Sequence, residues 1–199
     1  MVDISMIRST AARAATSLAG AIALLAGGAV TAPVDAQAAA PLGRVCMFEA
    51  PDGAYGLGHA AFAVKVRGEA NHWIYGSFGS LNDAPKAGWI QGGTWEQARA
   101  HFTAVRDQDH SGARYYTRYR CANTRDGDVK RAQSWYGAVK GRGYNAVGNN
   151  CLHMSMAVFK GYSDVLRNDS RLPSATRRTP DDYFEKVLPA AHWETAHNL

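Results

Sequence analysis

Two spacings of hydrophobic and polar positions run along the chain, and each predicts its own secondary structure. Apolar or aromatic runs of strand length occur at 44–50, 59–66 and 72–79, each bounded by turn residues. A fourth run, 113–121, alternates basic and aromatic residues with the two-residue period of a strand. The glycine-rich segment 82–93 is predicted to be a loop.

Four other segments have the three-to-four-residue apolar spacing of amphipathic helices. Their ranges are 94–105, 126 or 128 to 140, 151–162 and 179–188. Because strands and helices come in runs rather than in regular alternation, the sequence predicts an α+β fold. We expect a small antiparallel sheet packed against helices, forming one domain over 44–199 after a linker over 38–43.

The first residues have the pattern of a targeting segment. Arg8 and Arg13 precede an uncharged run, 14–30, that is rich in alanine, leucine and glycine. We predict a signal peptide over 1–37, cleaved near residues 36–38, where small residues stand at the positions that a signal peptidase reads. The alternative is a retained membrane anchor, but the run is shorter than the ~20 residues that span a bilayer. The mature protein is therefore expected to be secreted and not membrane-spanning.

Composition supports a folded domain. Of the 199 residues, 46% are hydrophobic, which excludes a disordered chain. The net charge of +5 favours contact with anionic surfaces such as cell-wall polymers, phospholipid or nucleic acid. The arginines and tyrosines of 114–120 can stack on nucleic acid, but a half-exposed strand is the simpler interpretation, so no specific nucleic-acid partner is predicted. No CxxC or HExxH pattern occurs, and neither a metal nor a cofactor is predicted.

The three cysteines, Cys46, Cys121 and Cys151, add a constraint. In an exported protein disulfides are expected, and an odd number of cysteines leaves one thiol free. The economical interpretation is that Cys46 and Cys121 pair, or stay buried, while Cys151 is the working thiol. The spacing of the cysteines does not by itself prove this pairing.

Cys151 stands where a polar loop passes into an apolar helix. Asn150 directly before it is a good N-cap residue, because its side-chain oxygen can accept an unpaired amide hydrogen of the first turn. The helix dipole there favours negative charge, and the thiolate is the reactive form of cysteine. The alternative is that Cys151 is simply a small buried apolar residue.

A thiol nucleophile needs a base, and the base needs a third group to orient it. His59 begins an apolar strand, and His72 begins the next strand 13 positions later. A simple hairpin does not place these two histidines directly opposite each other without a bulge or a long pairing. Ser77, in the same second strand, is the alternative third residue.

Three segments of the chain resemble motifs of a known superfamily. They are Gly58–Val64, His72–Gly76 and Asn149–Met154. Together they resemble circularly permuted papain-like hydrolases of secreted bacterial type, the group that contains NlpC-type cell-wall peptidases and lecithin retinol acyltransferase-like enzymes. In that group a histidine opens a strand, a second polar residue follows about a strand and a turn later, and the cysteine begins a helix.

The resemblance implies roles for the candidate residues. Cys151 would attack a carbonyl carbon, His59 would take and return the thiol proton, and His72 or Ser77 would orient His59. Amide groups at the start of the Cys151 helix, with Asn150 beside them, would line the oxyanion hole. The implied function is a thiol peptidase or amidase acting on a peptide or cell-wall substrate, with peptidoglycan peptides expected.

Two other functions remain open at the level of sequence. One is a secreted non-catalytic binding or toxin-related module in which Cys151 is structural. The other is an acyltransferase or lipid-directed thiol enzyme. The sequence assigns no acyl acceptor and no inhibitor or immunity protein.

Overall fold

The computed structural model describes residues 43–79, 88–104 and 116–199, which form an α+β structure around one sheet. The predicted fold class is therefore confirmed at this level. The predicted signal peptide and residues 38–42 of the predicted linker lie outside the described residues. Within the described part, no helix combines the length and the apolar character that crossing a bilayer requires.

The sheet has six strands, and every neighbouring pair is antiparallel. The strands are β1 (Gly43–Ala50), β2 (His59–Lys65), β3 (Trp73–Phe78), β4 (Gly88–Gly93), β5 (Arg118–Thr124) and β6 (His197–Asn198). Their order across the sheet is β4-β3-β2-β1-β5-β6. The strand that begins with His59 therefore lies in the interior of the sheet.

The four predicted helical segments are helical, and two further short helices, the first and the fifth below, are not predicted from the sequence. They are α1 (Gly53–Gly56), α2 (Trp95–Ala104), α3 (Val129–Gly141), α4 (Cys151–Tyr162), α5 (Asp164–Arg167), α6 (Pro180–Asp182) and α7 (Leu188–Ala190). A π-helical segment, Tyr183–Val187, joins the last two. Of the two predicted starts for α3, the structure selects Asp128, whose carboxylate accepts a 2.9 Å hydrogen bond from the amide of Arg131.

The two faces of the sheet carry separate hydrophobic clusters, because successive residues of a strand point to opposite faces. On one face, here called the α4 face, Val45 and Phe62 pack with residues of α3 and α4. On the other, the disulfide face, Phe48 packs with Phe102 of α2. The cluster on the α4 face fixes α4 against β2.

A disulfide joins Cys46 to Cys121, which are directly opposite in the β1–β5 ladder, so the expected pairing is confirmed. Cys151 is the free thiol among the described residues.

Two strand predictions need correction. The segment 88–93 is a strand although it was predicted as loop, because pairing with β3 outweighs the weak strand propensity of its glycines. The predicted strand 113–121 is displaced: 113–115 lies outside the described residues, and the strand runs from Arg118 to Thr124. Its pairing with β1, from Glu49 opposite Arg118 to Gly43 opposite Thr124, sets these limits.

Candidate functional site

Cys151 and the first residues of β2 come together at one end of the sheet. Cys151 is the first residue of α4, as predicted, and its Sγ accepts a hydrogen bond from the amide of Ala60 at 3.5 Å. Ala60 directly follows His59 in β2. The free thiol therefore contacts the backbone one residue from the predicted base.

The start of α4 is held by Asn150, as its sequence position predicts. Its Oδ1 accepts hydrogen bonds from the amides of Leu152 (3.1 Å) and His153 (3.2 Å). Its Nδ2 donates to the carbonyl of Ala146 at 2.8 Å. The cap thus uses two amides of the first turn and does not take the amide of Cys151 itself.

His59 is nearly buried and belongs to a chain of hydrogen bonds. Its Nε2 is 3.1 Å from Oγ of Ser77, which is in turn 2.9 Å from the phenol oxygen of Tyr116. The exposed fractions are 6% for His59, 6% for Ser77 and 2% for Tyr116. A β-carbon at Gly79 would lie 3.5 Å from Cε1 of His59, so the imidazole packs against the glycine backbone. The ring is consequently held by contacts on several sides.

The thiol and the imidazole reach the end of β2 from different faces. Cys151 belongs to the cluster on the α4 face. His59 contacts the ring of Tyr116, a member of the cluster on the disulfide face, at a centroid distance of 5.7 Å. The backbone between His59 and Ala60 is the point at which the two groups approach each other.

His72 lies at the other end of the β2–β3 hairpin. The amide of Val66 donates to its carbonyl at 2.7 Å, and its Nδ1 is 2.7 Å from a carboxylate oxygen of Glu69. Since a strand rises about 3.3 Å per residue, this turn is roughly 20 Å from His59. The structure therefore does not bring His72 together with His59. Of the two candidates predicted to orient the imidazole of His59, Ser77 contacts the ring and His72 does not.

The pairing register explains this difference. Ala61 is opposite Ser77 and Lys65 is opposite Trp73, so His72 belongs to the turn rather than to the ladder position beside His59. A separation of 13 residues between two strand starts does not determine which residues face each other, because the length of the turn shifts the register.

An ionic cluster with one buried member lies at the same end of the sheet. Glu49, opposite Ala60 in the β1–β2 ladder, is fully buried, and Nε of Arg118 donates to it at 2.7 Å. Arg118 also pairs with Asp181 (3.2 Å) and with Glu185. Burial raises the pKa of Glu49 to about 8; the charge of Arg118 opposes this shift and that of Asp181 adds to it.

This cluster is an ion-pair network rather than an open metal site. Carboxylate oxygens of Glu49, Asp181 and Glu185 all lie within 4.8 Å of one another, a spacing that suits a cation. Arg118 pairs with all three, so its guanidinium already supplies the positive charge. The amide of Asp181 donates to the carbonyl of Leu57 at 3.3 Å, which ties the network to the loop before His59.

This network was not predicted from the sequence, although the sequence contains a signal for it. Glu49 is the one ionisable residue in the otherwise apolar run 45–50, and such a residue must find a charged partner when the strand is buried.

His153 supports the cap instead of facing the thiol. Its Nδ1 is 2.8 Å from Oδ1 of Asn150, which fits a neutral ring with the proton on Nδ1. Burial, with the nearby charge of Arg142 as a smaller cause, lowers the pKa of His153 and favours this neutral form. It lies two residues after Cys151, and its contacts are those expected of a structural histidine.

The fold and the site define an α+β protein with a six-stranded antiparallel sheet and a free thiol at the start of a helix that packs on the sheet. Comparison with protein-family models, with curated proteins and with solved structures finds no match to this chain.

Proposed function

We propose that the protein is a secreted cysteine hydrolase of permuted papain-like fold that cleaves an amide bond in peptidoglycan peptides. The observation that carries the proposal is the position of Cys151: it begins a capped helix, and its sulfur contacts the amide that follows His59. A nucleophile at a helix start beside a histidine is the arrangement that thiol acyl transfer requires.

In the proposed reaction His59 removes the proton of the Cys151 thiol, and the sulfur attacks the amide carbon. The new C–S bond gives a tetrahedral oxyanion, which collapses with cleavage of the C–N bond while His59 returns the proton to the leaving amine. Water then attacks the thioester, with His59 as base, and releases the acid and the thiol. Ser77, bonded to Nε2, orients the ring so that Nδ1 serves Cys151.

The amide of Cys151 is the proposed oxyanion donor. The cap of Asn150 uses the amides of Leu152 and His153, so Asn150 acts by fixing the helix start and not as a donor to the oxyanion. In studied proteases one such donor contributes about 3 kcal/mol to transition-state stabilisation.

The net charge of +5 supports a substrate within an anionic polymer such as a cell wall. The substrate class otherwise follows from the resemblance of the three motifs. The proposed secretion is based on the leader-like residues 1–37.

A second candidate function is a secreted non-catalytic binding module, and the burial of the thiol favours it. Cys151 is only 3% exposed and belongs to the hydrophobic cluster of the α4 face. A structural cysteine has these properties, whereas a nucleophile must be reached by substrate.

Thiol labelling distinguishes the two functions. Because Cys46 and Cys121 are disulfide-bonded, iodoacetamide added to the folded protein modifies only Cys151, and mass spectrometry measures the rate from pH 5 to 9. The hydrolase predicts rapid labelling below pH 7 that His59→Ala slows. Labelling that occurs only after unfolding would instead favour the binding module.

Substrate cleavage is the second step of this test. Purified peptidoglycan peptides would be incubated with the protein and with Cys151→Ala, and the products would be identified by mass spectrometry. New amine and acid termini formed only by the unsubstituted protein would support the proposal.

A further inference from the structure

The turn end of the β2–β3 hairpin forms a groove that the proposed hydrolase does not use. It has a volume of about 650 Å³ and lies roughly 20 Å from His59 along the strand. We call it the turn groove. It is lined by residues 65–70 together with Gly43, Arg44 and Asn123.

The turn groove contains two cations that form no ion pair with the described residues, although Arg67 also lines a neighbouring cavity with Asp126, Asp128 and Asp164. Lys65 is half-buried and Arg67 is exposed, and neither forms an ion pair within the described residues. The third cation, Arg44, pairs with Glu194 at 2.6 Å. The one acidic residue of the lining, Glu69, has its carboxylate 2.7 Å from His72. The groove therefore presents unpaired positive charge.

Aromatic side chains continue the groove on one side. A smaller cavity of about 250 Å³ shares Arg44 and Lys65 with the turn groove and is lined further by Trp73, Trp95 and Tyr119. Glu96 also lines it, with its carboxylate accepting a 2.8 Å hydrogen bond from Nδ2 of Asn71. Trp95 and Tyr119 are half-buried, and their ring centroids are 5.2 Å apart. Aromatic surface beside a few polar groups is the usual lining of a small-molecule site.

We propose that the turn groove binds an acidic sugar, with its acid group on Lys65 and Arg67 and its ring against the aromatic surface. The acid group is a carboxylate or a phosphate, since an arginine and a lysine bind both. Asn123 also lines the turn groove; its Oδ1 accepts a 2.8 Å hydrogen bond from Arg44, and its Nδ2 can donate to a hydroxyl. The site is independent of Cys151 and of the proposed hydrolysis.

Isothermal titration calorimetry on the folded protein tests this assignment with four probes. Trigalacturonic acid carries carboxylates, glucose 6-phosphate carries a phosphate, maltotriose is neutral, and inorganic phosphate lacks the sugar. We expect one or both acidic sugars to bind more tightly than maltotriose and inorganic phosphate, with an affinity that falls as salt is added. The stronger of the two acidic probes identifies the acid group.

Two substitutions and a matched control locate the site. Arg67→Gln and Lys65→Gln should each weaken binding about fivefold, as loss of one exposed charge contact does. Arg177→Gln removes the same charge from an exposed arginine outside the groove and should leave the affinity unchanged. Because neither Lys65 nor Arg67 forms an ion pair, their substitution should also leave the melting temperature unchanged.

Three results would overturn the proposal. One is an absence of binding by both acidic sugars. Another is equal binding of maltotriose or inorganic phosphate, which would mean that the site does not select an acidic sugar. The last is a loss of affinity in Arg177→Gln equal to that in Arg67→Gln, which would assign binding to net charge alone.

Discussion

The two ends of the β2–β3 hairpin each have a histidine beside a polar partner, yet their environments are opposite. At the open end of the hairpin, here called the strand end, His59 is 6% exposed and is hydrogen-bonded to Ser77, which is equally buried. At the turn end the side chain of His72 is 41% exposed and pairs with Glu69, whose side chain is 55% exposed. Each histidine has a polar partner at hydrogen-bonding distance, 3.1 Å for His59 and 2.7 Å for His72, but the free-energy cost of disturbing each end differs greatly.

The difference follows from what burial does to polar groups. A buried polar or charged group that loses its partner retains its desolvation penalty, whereas an exposed one is solvated by water. The strand end holds Glu49, His59 and Ser77 in this costly state. Substitutions there should have large effects, and matched substitutions at the turn should have small ones.

The largest expected effect is on the buried carboxyl of Glu49 at the strand end. Arg118→Met removes the guanidinium that pairs with Glu49, Asp181 and Glu185. At pH 7 Glu49, with a pKa of about 8, is mostly protonated, so the substitution leaves a buried carboxyl without its hydrogen-bond partner. Such a loss costs about 1–3 kcal/mol, which urea unfolding at pH 7 should show. A loss below about 1 kcal/mol would mean that water solvates Glu49 after the substitution. Arg178→Met, which breaks the exposed pair with Asp182, is the control and should cost less than about 0.5 kcal/mol.

The next effect concerns the histidines themselves. If His59 is the base for Cys151, His59→Ala should slow iodoacetamide labelling at pH 7 about 100-fold, which is typical of a lost general base. His72→Ala should leave the rate unchanged, because His72 is at the far end of the hairpin. Equal rates in the two variants would remove the functional difference between the ends.

A pH series should reveal the buried carboxyl. The pKa of Glu49 is about 8 in the folded protein, above its ordinary value of 4.5. Its protonated form therefore stabilises the fold fully below pH 4.5, and this contribution is lost as the pH rises through 8. Relative to Glu49→Gln, the unsubstituted protein should lose at least about 1 kcal/mol of unfolding free energy between pH 5 and 8. A parallel pH dependence of the two proteins would contradict this ionisation.

A smaller effect is expected from the hydrogen bonds behind His59. Ser77→Ala removes its bonds with His59 and with Tyr116, so the labelling rate should fall about tenfold and stability by about 1 kcal/mol. Tyr116→Phe keeps the bond between Ser77 and His59 and should have the smaller effect on rate. A purely structural serine would lower stability without changing the pH at which labelling reaches half its maximal rate. The pH profile of labelling therefore separates a positioning role from a structural one.

Some features of the fold and of the candidate site follow from the sequence alone, and others do not. Local signals were sufficient for the Asn150 cap and for the helix that begins at Cys151, since both depend on neighbouring residues. The choice between His72 and Ser77 depended on the register of β2 against β3, which a turn of unknown length conceals. Tyr116, which lies within the predicted strand 113–121, instead precedes β5 and packs on the disulfide face. For Ser77 and Tyr116 the outcome was decided by contacts between segments distant in the chain.

The smallest expected effect is at the exposed turn. Glu69→Gln removes the charge that faces His72, but both groups remain in contact with water, so the unfolding free energy should change by less than about 0.5 kcal/mol. Any change should disappear in 1 M salt, because the Debye length then falls to about 3 Å. Urea unfolding at low and high salt measures both quantities, with unsubstituted protein as the reference. A loss of unfolding free energy above about 1 kcal/mol that persists in 1 M salt would show that the turn depends on its polar partner as much as the strand end does. The two histidines would then differ in exposure alone.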